Sequence, residues 1–134
     1  MREVALIAGH TGPKTGACSP QGITPTLDEG TETIWLRDEI NKHLKSKYNV
    51  STIIDENKTK LAQVIAFLKR KLFGEDLSID IHFNAAASKN ANGSEVLIPN
   101  NPTSFEKRAA QEILFTITSI LGTRTRGVKS EESG

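Results

Sequence analysis

The stretch Glu3-Val4-Ala5-Leu6-Ile7-Ala8-Gly9-His10-Thr11-Gly12 decides the fold. Val4 to Ala8 is apolar without alternation, which suits a strand buried on both faces of a parallel sheet. The run stops at Gly9-His10-Thr11-Gly12. In α/β proteins the carboxyl end of such a strand is where ligands sit, and glycines on either side let the backbone turn sharply and approach closely. A strand followed by a glycine turn that merely carries a histidine would read the same way. The remainder of the chain has to decide between them.

Outward from this strand, residues 11–26 are rich in Gly, Pro, Ser and Thr, which predicts a long surface loop. Asp28-Glu29-Gly30-Thr31 opens a helical pattern with Ile34, Leu36, Ile40 and Leu44 as its apolar positions and Lys42, Lys45 and Lys47 near its end. Acid first and base last is the order the helix dipole favours. Tyr48 to Ile54 predicts a second strand, and Lys58 to Phe73 a second helix with Leu61, Val64, Leu68 and Leu72 on one stripe and Gly74 as its stop. Leu77 to Phe83 alternates: Leu77, Ile79, Ile81 and Phe83 share one face, and Ser78, Asp80 and His82 the other. After a small polar loop, Ser94 to Ile98 predicts a fourth strand.

Thr103 and Glu106 carry a capping-box signature before a helix built on Ala109, Ile113, Leu114, Ile117 and Leu121, ended by Gly122. Thr123 to Lys129 could begin a further strand, and the residues from Ser130 trail off polar. Strands alternating with helices predict an α/β fold: one domain over residues 1–134, with a mostly parallel sheet flanked by helices.

The bulk numbers exclude several classes. At 134 residues the chain is large enough to build one core without staples. A net charge of +1, with no cationic stripe, gives nucleic-acid binding no electrostatic support. The one cysteine, Cys18, rules out an internal disulfide and a thiolate metal site. No apolar run approaches the roughly 20 residues of a membrane span. The N-terminus shows no leader with an apolar core and cleavage site, so the chain is expected either not to be exported by that route or to have lost its leader.

Two strands end in histidine, at His10 and at His82. In a parallel sheet both ends lie on one edge, so the imidazoles can converge. Between them the best-placed carboxylate is Glu29, at the mouth of the first helix, with Glu32 one turn on as its competitor. Two imidazoles and one carboxylate are a donor set that catalytic zinc sites use. His43, inside a helix among lysines, reads as a solvated surface residue. Histidines at strand ends are also common as hydrogen-bonded structural residues, and spacing alone leaves both readings open.

Leu6-Ile7-Ala8-Gly9-His10-Thr11-Gly12, Asp28-Glu29-Gly30-Thr31, Ser78-Ile79-Asp80-Ile81-His82-Phe83-Asn84-Ala85, Gly93 to Ile98 and Arg126-Gly127-Val128-Lys129 occur in this order at fitting separations. Together they resemble the zinc-dependent N-acetylmuramoyl-L-alanine amidases, of the catalytic-domain class found in cell-wall hydrolases and phage endolysins. The resemblance covers nearly the whole chain. It implies a bound Zn2+ and hydrolysis, in peptidoglycan, of the amide between the muramic acid lactyl group and the L-alanine of the stem peptide. On it, His10 and His82 match the histidine ligands, and the glutamate ligand falls on the acid opening the first helix, where counting back from Ile34, Leu36 and Ile40 favours Glu29 over Glu32. Asn84 matches the asparagine on the substrate side. The resemblance also implies synthesis in a bacterial or phage-infected cytoplasm and action on the cell wall.

One departure stands out. The family places a general-base glutamate near the end of a late strand, well beyond the segment matching Arg126 to Lys129. Glu131 and Glu132 lie too close to that segment to match it, so the general base is expected beyond Gly134 and the chain reads as C-terminally incomplete. A missing strand would leave a sheet edge open to self-association. Three expectations follow: a zinc-dependent peptidoglycan amidase, a zinc-carrying wall-binding fragment without turnover, and an α/β domain holding an unrelated small ligand at the same edge.

Overall fold

The computed structural model describes residues 3–20, 22, 24–57, 60–74, 76–85 and 90–130. These form two compact units, one over Met1–Ala85 and one over Ala86–Gly134. The first contains β1 (Val4–Ala8), α1 (Glu29–Tyr48), β2 (Thr52–Ile54), α2 (Leu61–Lys71) and β3 (Leu77–Ile81). The second contains β4 (Ser94–Ile98), α3 (Ser104–Leu121) and β5 (Thr125–Ser130). The α/β class stands, and every strand pair is parallel. The strands divide, however, between a three-stranded sheet ordered β2-β1-β3 and a two-stranded sheet of β4 and β5.

In the first unit β1 is central. It pairs with β2 over Val4 to Leu6, and with β3 over its full length, from Val4 opposite Leu77 to Ala8 opposite Ile81. Ala5, Leu6, Ile7 and Ala8 are all buried, which is why the stretch shows no alternation. The chain passes from β1 to β2 on one side and then crosses to β3 on the other. Right-handed connections of that kind put α1 and α2 on opposite faces. Ala5 and Ile7 pack with Val64 of α2, flanked by Ile53, Leu68 and Leu72. Phe67, which the helical stripe did not include, is buried as well, whereas Leu61 is exposed.

α1 is capped by Asp28, whose carboxylate accepts from the Thr31 N–H at 2.9 Å. It runs four residues further than its apolar pattern implies, through Tyr48, and ends at Asn49 in the left-handed conformation that Asn tolerates. β2 therefore begins at Thr52 rather than Tyr48. The fully buried residues of α1 are Glu29, Gly30, Thr33 and Arg37; Ile34, Leu36, Ile40 and Leu44 are only half-buried. A polar stripe, one residue per turn, thus faces inward. β3 stops at Ile81, which leaves His82 just beyond the ladder.

In the second unit β4, α3 and β5 make a β-α-β element, with α3 packed on both strands. The capping box is present: Thr103 Oγ1 accepts from the Glu106 N–H, and Glu106 Oε2 accepts from the Thr103 N–H. Gly122 ends the helix with φ 63°. Only Ala110 and Leu114 of α3 are buried; Ile117 and Leu121, expected on its apolar stripe, are exposed. Glu131 and Glu132 lie outside the described residues. No helix among the described residues is long and apolar enough to cross a membrane.

Candidate metal centre

The pairing of β1 with β3 sets the site. The Gly9 N–H continues the ladder by donating to Ile81 O at 2.8 Å, so His10 and His82 leave the sheet at one edge. That edge lies between the central strand and the strand reached after the chain reverses direction, the crevice where open α/β sheets hold ligands. The two rings stand nearly perpendicular, 86° apart, with centroids 5.6 Å from each other. Gly9 makes this approach feasible, because a Cβ there would overlap the His82 ring. Gly16 does the same from the loop: a Cβ there would meet Glu29 Oε2 and the His10 ring, and its φ of 72° also favours glycine.

Glu29 completes the cluster from the first turn of α1. Its side chain is 4% exposed, and its Oε1 lies 3.0 Å from His82 Nδ1 while Oε2 lies 3.8 Å from His10 Nε2. Oε2 accepts the Ala17 N–H at 2.8 Å, and Oε1 accepts the Phe83 N–H at 2.9 Å. One turn along α1, the buried Thr33 hydroxyl is 2.7 Å from Glu29 O and 3.0 Å from His10 O, tying the helix turn to the strand end. Donor atoms from His10, Glu29 and His82 all lie within 4.8 Å of one another.

The electrostatics follow from these contacts. Burial would raise the Glu29 pKa, but the Ala17 and Phe83 N–H groups, His82 and His10 together hold it below the ordinary carboxylate value. The His82 imidazole is pushed up to about 8, chiefly by the Asp80 carboxylate beside it and further by Glu29, against the opposing effect of burial. The cluster sets one buried carboxylate against two half-exposed imidazoles.

The donor set suits zinc. A tetrahedral ion with bonds of about 2.1 Å needs donors about 3.4 Å apart. The 3.0 and 3.8 Å separations of the histidine nitrogens from the carboxylate oxygens straddle that spacing. Around a bound metal Glu29 would supply one negative charge and the histidines two neutral imidazoles.

Of the other residues marked by the sequence, Glu32 is half-buried one turn along α1 and is not part of the cluster. Asn84 is exposed two residues beyond His82. His43 is exposed on α1, edge-on to Tyr48 with centroids 5.7 Å apart. Two contributors went unmarked. Asp80 Oδ2 lies 3.2 Å from His82 Nε2, a contact that the alternation of β3 made legible because both residues share a face. The Ala17 N–H comes from an irregular loop, whose backbone direction leaves no periodic signal.

A family model described as N-acetylmuramoyl-L-alanine amidase, of the Amidase_3 type, matches residues 4–133. The chain belongs to this family. Its class is therefore that of enzymes hydrolysing peptidoglycan amide bonds in the cell wall. Two solved structures share the fold of the amidase chain. The catalytic domain of CwlV, N-acetylmuramoyl-L-alanine amidase from Bacillus (Paenibacillus) polymyxa var. colistinus, superposes with a TM-score of 0.75 at 20% identity, covering 97% of this chain and 70% of that one. The N-acetylmuramoyl-L-alanine amidase from Clostridium difficile 630 superposes with a TM-score of 0.79 at 21% identity, covering 97% and 69%. No curated protein sequence matches significantly.

Proposed function

We propose that the amidase chain is zinc-dependent and cleaves the amide between N-acetylmuramic acid and the L-alanine of the stem peptide, with His10, Glu29 and His82 holding the metal. The observation that carries this reading is the convergence of the three side chains, with donor atoms within 4.8 Å, around a buried carboxylate. A zinc bound there supplies Lewis acidity toward the scissile carbonyl and the attacking water. The protein's part is to hold the donors still: two backbone N–H groups fix Glu29, and the β1–β3 ladder fixes both histidines. Glu29 cannot serve as proton acceptor while it binds metal, so the reaction needs a further group as general base, which the family resemblance assigns to a glutamate. Asn84, exposed just past His82, is assigned to the substrate side of the site.

The test has two readings. Protein purified without chelator is expected to carry about one equivalent of zinc and to lose it to a strong chelator; less than about half an equivalent overturns the metal assignment. Zinc-loaded protein is expected to clear purified sacculi and to expose new L-alanine amino termini. A zinc-loaded chain that leaves sacculi intact overturns the hydrolytic assignment.

A further inference from the structure

We propose that Asp80 is the positioning residue of His82, holding ring atom Nε2 so that Nδ1 is presented to Glu29 and to a metal. The inference rests on the zinc reading of the same site and adds the atom through which each histidine acts.

The geometry is two-sided. His82 Nδ1 lies 3.0 Å from Glu29 Oε1, and Nε2 lies 3.2 Å from Asp80 Oδ2. An ionised carboxylate only accepts hydrogen bonds, so without a metal both ring nitrogens face acceptors; a metal bound beside Glu29 would take the Nδ1 lone pair, and Asp80 would keep the proton on Nε2. Glu29 cannot perform this fixing role, because it stands on the metal side of the ring. Histidine ligands commonly have their second nitrogen held by a carboxylate, which sets both tautomer and ring direction. The alternation of β3 puts Asp80 on the face that His82 continues, and the missing Cβ of Gly9 leaves room for the ring in this orientation. His10 differs, since it turns Nε2 toward Glu29. The site therefore takes Nε2 from one histidine and Nδ1 from the other.

Asp80 is about half exposed, at 48%, so its substitution should leave the fold intact and isolate the positioning role. The experiment compares wild type with Asp80→Ala and Asp80→Asn. Zinc affinity is measured against a competing chelator at fixed pH, and long-range proton–nitrogen spectra assign the ring nitrogens of the zinc-loaded protein. In the wild type, His82 is expected to be metal-bound through Nδ1 with Nε2 protonated, and His10 through Nε2. Asp80→Ala is expected to weaken zinc binding about 10–100-fold, with Asp80→Asn recovering part of that because its carbonyl still accepts. The metal-free variants should stay folded, with a cooperative melt within a few degrees of the wild type, as expected for a half-exposed ion pair. Zinc affinity of Asp80→Ala within about twofold of wild type, or zinc on Nε2 of His82, overturns the inference while leaving the zinc site standing. A wild type that takes up no zinc overturns both.

Discussion

Two charged clusters lie two turns apart on the buried face of α1, and they behave as opposites. Glu29, 5% exposed, meets two backbone N–H groups and two half-exposed imidazoles. Arg37, 2% exposed, donates from Nη1 to Asp55 and to Asn57 Oδ1 at 2.8 Å, and from Nε and Nη2 to Asp38 Oδ1. Both are charged groups placed against strand ends by one helix. The difference is in their partners. Arg37 faces a carboxylate that is fully buried and spends further N–H groups on Asp38 and Asn57, so its charge is matched within the chain. Glu29 faces neutral or protonated rings that reach solvent, so its charge is left to be matched by something that comes and goes. The closed cluster holds α1 to the end of β2; the open one is the metal site proposed above.

The largest expected effect comes from breaking the closed cluster. Arg37→Ala would leave Asp55 buried without its counter-ion, and urea unfolding should show a loss of about 3–5 kcal/mol. Zinc uptake per folded molecule should stay at the wild-type level. The double variant Arg37→Met, Asp55→Leu removes both charges and should recover most of the loss. Were Arg37→Ala to bind zinc poorly while folded, the two clusters would be coupled and the distinction between them would fail.

Glu29→Gln should give the reverse signature. Zinc affinity, read by chelator competition, is expected to fall by more than about 100-fold, because a charged ligand is lost outright. The stability cost should not exceed about 1–3 kcal/mol, since the amide oxygen can still accept one of the two N–H groups. A smaller step is Gly9→Ala. Its methyl would overlap the His82 ring and push it off line, and zinc affinity should drop about tenfold or more. An unchanged affinity would mean that the ring need not sit over Gly9 to bind metal.

The open cluster was legible in the sequence and the closed one was not, for physical reasons. His10 and His82 follow runs whose periodicity announces strands, and parallel pairing alone brings such ends to one edge. Glu29 was marked because it opens the first helix, counting back from Ile34, Leu36 and Ile40. Arg37 and Asp55 carry no such mark. A buried ion pair looks in sequence like two surface charges, and the apolar residues Ile34, Leu36 and Ile40 drew the helix's inward face away from Thr33 and Arg37. The division of the strands into two sheets was also beyond reach, because pairing partners depend on packing rather than on local pattern. Asn49 hid the true end of α1, since a β-branched run follows it directly.

The smallest expected effect is one of pH, and it distinguishes the clusters without truncating either. In the metal-free protein His82 titrates near 8, above its ordinary 6.5, because Asp80 and then Glu29 favour the imidazolium against the cost of burial. A raised pKa stabilises the folded state fully below the ordinary value, and that stabilisation is lost as pH rises through 8. Glu29, held below the ordinary carboxylate value, contributes in the other sense: its stabilisation is present at neutral pH and is lost only as the solution is made acid enough to protonate it. The melting temperature of metal-free protein should therefore decline gently from pH 6.5 to above pH 8. The decline is kept modest by the half-exposed ring, whose interactions solvent screens. Zinc requires the same nitrogen unprotonated, so the zinc-induced rise in melting temperature should grow over the interval in which the metal-free protein weakens. Arg37→Ala should melt lower at every pH with the same slope, and His82→Gln should lose the slope. A slope that survived His82→Gln would assign the titration to another group and remove the electrostatic link between this histidine and the buried glutamate.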